Sequence, residues 1–414
     1  MNLIILSQYY PPEVGAPQNR LSELARLMVE KGDSVSVLTA MPNYPTGRIY
    51  PGYGGLFKRE CLNGVNIVRT FIYPTQKADF LRRLTNYFSF VITSAMLGTF
   101  LLKRADVLLV ESPPLFLGLS AVWLSFVKRA RLIFNVSDLW PESAVQLGIL
   151  RRNSLLHRLS SWLESFCYRR SWLITGQSRS IINDIRQRFP NCQTYHLSNG
   201  VDTNRFAEAM NDRAHTGLNV NGHCVVMYAG LHGLAQGLGQ VLTAAEDLFE
   251  DRRFRFVLVG DGPEKKMLMG QAAQRGLTNV EFRDPRRSEE IPALIAGCDI
   301  VLVPLTSYLL GAVPSKLYEA MAGGKPIILM ASGEASQIIN EHQAGIAVEP
   351  GDINGLVQAL KTLLTQPQLR RTLGENGRRA AKQHFDRETI VSNFREFLEE
   401  KLSAEFQLKV MSDE

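Results

Sequence analysis

Lys316 and Glu319 stand three residues apart in the segment Val313-Pro314-Ser315-Lys316-Leu317-Tyr318-Glu319-Ala320-Met321-Ala322-Gly323-Gly324-Lys325-Pro326. Proline suits the first turn of a helix. The free N–H groups of that turn form an anion site, and Lys316 adds a point charge beside them. Glu319 falls one turn further on, on a neighbouring face. A phosphate at the helix start and a ribose at the carboxylate would fit one nucleoside diphosphate. The same spacing also suits a capped surface helix with an i,i+3 ion pair, and the local pattern does not separate the two. Asp138 is a second candidate, just beyond the apolar run Leu132–Val136. Parallel α/β folds place polar ligand contacts at such strand ends, although an Asp there can equally cap a helix starting near Trp140. Gly15 would let the backbone approach a phosphate, or is an ordinary loop glycine. Arg20 either faces a cleft and holds an acceptor phosphate or lies on a solvated helix face.

The elements that must position these groups are short apolar runs alternating with amphipathic helices. Leu3–Leu6 reads as a buried strand. Leu21, Leu24, Ala25, Leu27 and Met28 then recur at helical spacing until Gly32, and Val35–Leu38 returns as strand. Val107–Val110, Leu132–Val136 and Trp172–Thr175 continue the series. The rhythm restarts after about residue 220 with Val225–Gly230 and Phe256–Gly260, both ending in glycine. Val280–Phe282, Ile300–Val303, Ile327–Leu329 and Ile346–Val348 follow. Two such series predict two α/β domains with doubly wound parallel sheets and ligands beyond the strands' carboxyl ends, in a cleft between the domains. The expected division is 1–190, a linker at 191–222, a second domain at 223–385, and a charged C-terminal helix from 386 that could return to the first domain.

With 414 residues, two cores are the natural expectation. The 46 Lys and Arg exceed the 40 Asp and Glu by 46 − 40 = 6, which favours anionic partners without choosing among phosphates, phospholipid and nucleic acid. The five cysteines are scattered and never spaced as CxxC, and the seven histidines show no HxxxH or HExxH. Neither a disulfide framework nor a transition-metal site is expected. Met1 leads straight into an apolar strand, with no secretory signal pattern, so a reducing, cytoplasmic location is the expectation.

The segment carrying Lys316 resembles the donor-binding helix of glycosyltransferase family 4 (group 1), the large retaining group of the GT-B class. Other pieces match that family in order. They are Pro11–Ala16 for its N-terminal glycine loop, Ser137-Asp138-Leu139-Trp140-Pro141-Glu142 for its acidic motif, and Ser198–Asp202 for its Asn-Gly-Val-Asp. Tyr228-Ala229-Gly230 and Val259–Glu264 match the two strand-end loops of its donor domain. The resemblance implies a GT-B fold of two Rossmann-like domains. It implies a sugar moved with retention from a UDP- or GDP-sugar to a lipid-linked (undecaprenyl-diphosphate type) saccharide, with no obligatory metal or other cofactor. The pattern is similar to the branch that builds bacterial capsule, exopolysaccharide or O-antigen, including N-acetyl-fucosamine transferases. It makes Asp138 the first choice for a contact with the transferred sugar or the acceptor.

The chain also departs from the family. Gly311 stands where the first of two donor-site glutamates usually falls. The stretch Leu231–Gly237 lacks the usual Arg and Lys for the diphosphate. The phosphate is then expected to rest on Lys316, Ser315 and backbone amides, close to Gly230, with Gln236 or His232 assisting. These departures keep two rivals open: a nucleotide-sugar epimerase of GT-B fold, and a non-catalytic nucleotide-sugar-binding subunit.

Tyr87–Leu102 is an uncharged run of 16 residues between Arg82-Arg83 and Lys103-Arg104. As a helix it would reach roughly 24 Å, short of a bilayer core. Arg151, Arg152, Arg158, Arg169 and Arg170 surround Leu155, Leu156, Leu159, Trp162 and Leu163. Both stretches suit contact with an anionic leaflet, on the inner face of the membrane, although Tyr87–Leu102 also reads as a core helix of the first sheet. The apolar run Leu115–Val127 reads instead as core. Nucleic-acid binding is not expected, because the basic residues lie among apolar runs.

Overall fold

The computed structural model describes residues 1–75, 80–209, 222–306 and 310–413. The chain divides into two compact units, Met1–Ser198 with Glu388–Glu414, and Asn199–Arg387. The boundary falls inside the stretch read as a linker, but residues 191–198 are not linker. Thr194–His196 form a strand of the first unit and Thr203–Ala209 a helix of the second. The rest of that stretch, 210–221, lies outside the described residues.

The first unit runs β1 (Asn2–Leu6), α1 (Ala16–Glu30), β2 (Ser34–Ala40), β3 (Phe57–Leu62), β4 (Val65–Thr70), α2 (Phe80–Leu101) and β5 (Val107–Ser112). It continues with α3 (Leu117–Lys128), β6 (Arg131–Val136), α4 (Glu142–Gln146), α5 (Leu155–Arg170), β7 (Leu173–Gly176), α6 (Arg179–Arg188) and β8 (Thr194–His196). Its eight strands are ordered β3-β4-β2-β1-β5-β6-β7-β8. All neighbours are parallel except β3 and β4, an antiparallel edge hairpin that the strand series above does not contain. Asn63 and Gly64, with φ of 52° and 77°, make its two-residue turn. That is the backbone a type I′ hairpin requires, and Asn-Gly is its usual sequence.

The second unit runs α7 (Thr203–Ala209), β9 (Cys224–Ala229), α8 (Leu238–Asp247), β10 (Phe254–Val259), α9 (Lys265–Gln274), β11 (Val280–Arg283), α10 (Ile291–Gly297) and β12 (Ile300–Pro304). It ends with α11 (Ser315–Ala322), β13 (Ile327–Met330), α12 (Glu334–His342), β14 (Gly345–Val348), α13 (Ile353–Thr365) and α14 (Pro367–His384). The sheet β11-β10-β9-β12-β13-β14 is parallel throughout. Apolar clusters cover both of its faces, which is why these strands read as continuous apolar runs.

The last helix, α15 (Arg387–Asp413), joins the first unit from Glu388 onward. Val391, Phe394 and Leu398 enter the core beneath α1 and β1. Arg395 holds the buried Asp33 at 2.8 Å, and Asp33 also binds the N-terminal amine at 2.9 Å.

Candidate active site

In the second unit, the carboxyl ends of β9 and β10 and the start of α11 converge. Pro314 is the N-cap of α11 with φ −63° and ψ 131°, and no side chain caps the helix. Among the described residues no partner takes the amides of Ser315 and Lys316, which leaves them for a ligand. The Lys316 side chain folds over the strand end. Its Nζ lies 5.5 Å from the centre of the Tyr228 ring, and a Cβ on Gly230 would fall 2.0 Å from its Cε. Gly230, at φ 150°, is therefore needed both for its backbone and for the space that Lys316 fills.

No hydrogen bond or ion pair holds the Lys316 ammonium among the described residues, and burial pushes its pKa down, with Glu319 opposing. Burial pushes the Glu319 carboxyl up, against Lys316 and Arg205. The two residues are not in ion-pair contact. This departs from the capped surface helix with an i,i+3 ion pair, because the cap and the pair are both missing. A lysine and a glutamate taken out of water without partners are costly unless something else completes them.

The loops after β9 and β10 interlock through glycine. A Cβ on Gly260 would sit 1.8 Å from the Gly230 carbonyl oxygen, and one on Gly262 2.4 Å from the His232 carbonyl oxygen. His232 is wholly buried, and among the described residues neither ring nitrogen makes a hydrogen bond of good geometry, although the Val259 carbonyl acts on the ring. Gln236, in the short turn Leu234–Gln236, also has a buried and unpartnered Oε1. The structure thus brings Gly230, His232, Gln236, Ser315, Lys316 and Glu319 into one unit. Arg205 on α7 adds a tie that sequence reasoning missed. It donates to the carbonyl and hydroxyl of Ser288 and faces Glu319.

The first unit holds the other three residues. Gly15 is the N-cap of α1 with extended backbone, and a Cβ there would meet Gln18 Oε1 at 2.4 Å. Glu13, also unforeseen, orders the preceding loop. Its buried carboxylate accepts from the amides of Asn43 and Tyr44, both at 2.8 Å, and from Tyr10 at 3.3 Å. Arg20 is neither on a solvated face nor open to a phosphate as expected. It is buried, and donates to Glu111 Oε1 at 2.5 Å and to Ser137 Oγ at 2.9 Å. Asn135 and Thr175 extend this network across the ends of β6 and β7, with bonds of 2.6 and 2.7 Å.

The network reaches Ser137, beside Asp138, where the Gln177 side-chain amide also donates to the hydroxyl. Asp138 is half-buried, and burial pushes its carboxyl up against the Ser143 hydroxyl and the Leu139 amide. It does not cap a helix at Trp140, since α4 begins at Glu142 with Pro141 as its N-cap and no side-chain cap bond. No cluster of three or more His, Cys, Asp or Glu able to hold a metal occurs among the described residues.

Three helices of the first unit, α2, α3 and α5, carry exposed apolar side chains. On α2, Phe90, Val91 and Ser94 are buried, whereas Phe88, Ile92, Met96 and Phe100 form an exposed stripe. Leu84–Leu101 is long and apolar enough to cross a membrane by length and composition, with 28% of the window buried. The run Leu115–Val127 is core on one side only. Leu117, Ala121 and Leu124 of α3 are buried, but Trp123 and Phe126 are exposed. On α5, Leu155, Leu159 and Trp162 are exposed among Arg151, Arg152 and Arg158.

Two family models match the chain. The Glycosyl transferase 4-like domain covers residues 15–200 and Glycosyl transferases group 1 covers residues 211–380. The chain is 26% identical over 408 residues to the putative colanic acid biosynthesis glycosyl transferase WcaI of Escherichia coli (strain K12), covering 95% of this chain and 98% of that protein. It is 25% identical over 359 residues to the probable glycosyltransferase WbjE of Pseudomonas aeruginosa, covering 84% and 86%. Its fold is similar to that of Anabaena Alr3699/HepE in complex with UDP-glucose. That comparison has a TM-score of 0.72 at 20% identity, over 98% of this chain and 100% of the other.

Proposed function

Because the chain belongs to the group 1 glycosyltransferases, with a GT-B fold and relatives in surface-polysaccharide synthesis, we propose that it moves a sugar from a UDP- or GDP-sugar to a lipid-linked saccharide, with retention of configuration. The observation that carries this reading is the unpartnered Lys316 ammonium beside the uncapped start of α11. A departing nucleoside diphosphate needs fixed positive donors, and these are placed before it arrives. Glu319, one turn on, takes the ribose. Alr3699/HepE, of similar fold, binds UDP-glucose, which supports a UDP-sugar here. Asp138 contacts the transferred sugar or the acceptor hydroxyl. In a retaining reaction of this kind the leaving phosphate takes the acceptor proton on the same face, so neither a protein nucleophile nor a bound metal is called for. A thermal-stability screen against UDP-, GDP- and dTDP-sugars tests the donor site. One base should raise the melting temperature in wild type but not in Lys316→Ala. No shift with any nucleotide would contradict the assignment.

The acceptor reading places the enzyme on the cytoplasmic face of the membrane. The exposed stripes of α2, α3 and α5 support it, since Phe100, Phe126 and Leu155 are each at least 80% exposed and lie near Lys103, Arg104 and Arg151. The protein should co-sediment with vesicles containing phosphatidylglycerol, less with pure phosphatidylcholine, and less again at high salt. The double variant Phe100→Ser/Phe126→Ser should weaken binding roughly tenfold, at about 1 kcal/mol or slightly less per side chain partly buried in lipid. Unchanged partitioning would place the membrane contact elsewhere.

A further inference from the structure

His232 is the least explained group in the second unit. Its side chain is wholly buried, yet among the described residues neither Nδ1 nor Nε2 makes a hydrogen bond of good geometry. Its backbone is held on both sides. Its amide donates to the Asp261 carbonyl at 2.8 Å, and its carbonyl accepts from Glu264 at 3.0 Å. The ring sits 6.0 Å from Tyr228 and 6.2 Å from Phe282 by centroids, and a Cβ on Gly260 would come within 3.2 Å of its Cδ2. Buried polar atoms in native proteins are normally paired, and this imidazole has only the Val259 carbonyl acting on it, with no hydrogen bond of good geometry at either nitrogen, so it is under-satisfied.

The charged groups facing the ring are Lys265 at the start of α9, Asp261 of the β10 loop and Lys316 of α11, with the Val259 carbonyl from β10. Two cations thus oppose one carboxylate. Burial first, and then Lys265, hold the imidazole below its ordinary pKa near 6.5, with Lys316 adding to them and Asp261 and Val259 opposing. Burial and these two cations favour the neutral ring. A diphosphate at the head of α11 reverses the sign of that field.

We propose that His232 takes up one proton when a nucleoside diphosphate binds, so that donor binding is linked to pH. The proton comes from solvent and is held on the ring nitrogen that carries none in the neutral imidazole. The resulting imidazolium supplies a second fixed cation beside Lys316, in a loop (Leu231–Gly237) that has no Lys or Arg of its own. Donor affinity then falls with rising pH between the pKa of the empty site and the higher pKa of the occupied one, and is flat on either side. This inference rests on the reading of α11 as the diphosphate site.

Titration calorimetry tests it, with UDP-glucose and GDP-mannose as probes, because their two phosphates keep a fixed charge from about pH 5 to 9. Each binding enthalpy is measured near pH 7 in buffers of differing ionisation enthalpy. Wild type should take up roughly half a proton per site and lose several-fold in affinity from pH 6 to pH 8. His232→Gln and His232→Phe, of which the second fills the space between Tyr228 and Phe282, should bind with no uptake and little pH dependence. Wild-type binding without proton uptake, or uptake that persists in either variant, overturns the proposal and leaves the donor site standing. Failure of both sugar nucleotides to bind wild type overturns the proposal together with the donor site.

Discussion

Lys316→Ala is expected to lower kcat/KM for sugar transfer by roughly 100- to 1,000-fold, the range found when one preorganised charge-stabilising donor is removed from an active site. Lys316 is placed for this. Its ammonium lies beside the uncapped α11 start, against a glycine that leaves room for it, with no ion-pair contact among the described residues. Its effect on stability should have the opposite sign. A lysine whose folded pKa is lowered makes an unfavourable contribution to folding, present in full below that pKa and gone once pH passes the ordinary lysine value. Lys316→Met should therefore hold or slightly raise the melting temperature at neutral pH while losing transfer to the same extent as Lys316→Ala. Glu319→Ala should behave in the same way, chiefly through KM for the donor. Its raised pKa makes its contribution unfavourable above the folded pKa and absent at acid pH. Steady-state kinetics and calorimetry on the same preparations check both signs. A variant that lost stability and activity together would assign these side chains to the scaffold instead.

Arg20 and Glu111 should show the reverse pattern. Glu111→Gln removes the carboxylate that a buried guanidinium holds at 2.5 Å, and breaking such a pair costs about 3–5 kcal/mol. For a unit of this size that corresponds to a fall of roughly 10 °C in its melting transition. Arg20→Met should cost less, because Asn135 and Ser137 still donate to the carboxylate. The double variant Arg20→Met/Glu111→Met should recover part of the loss, since neither charge is left alone. Calorimetry of the four proteins completes the cycle. An acceptor-binding Arg20 would instead give stable variants with a raised acceptor KM, and that result would restore the role first expected of it.

The difference between these residues explains what could be read in advance. Lys316, Glu319 and their glycine lie on one short helix and on strand ends marked by apolar runs, so period and spacing were enough to nominate them. Arg20 meets Glu111 across 91 positions, and no local pattern carries that pairing. Glu13 and Arg205 were missed for the same reason, since each acts on a loop 30 or more residues away. The β3–β4 hairpin is a different kind of miss. Phe57-Lys58-Arg59-Glu60-Cys61-Leu62 is too polar for a buried strand, but Asn63-Gly64 before Val65 was a readable turn. Trp123 and Phe126 show the limit of composition. An apolar run of that length fits core and exposed stripe alike until its neighbours are known.

The most direct test of sugar transfer is to incubate the purified enzyme with labelled nucleotide sugars and a membrane lipid extract, then partition the products. The account predicts label in the organic phase from one nucleotide sugar, dependent on Lys316, with release of the nucleoside diphosphate and the donor's anomeric configuration kept in the new bond. Donor that binds but is only isomerised, or is returned unchanged from every extract, would contradict it.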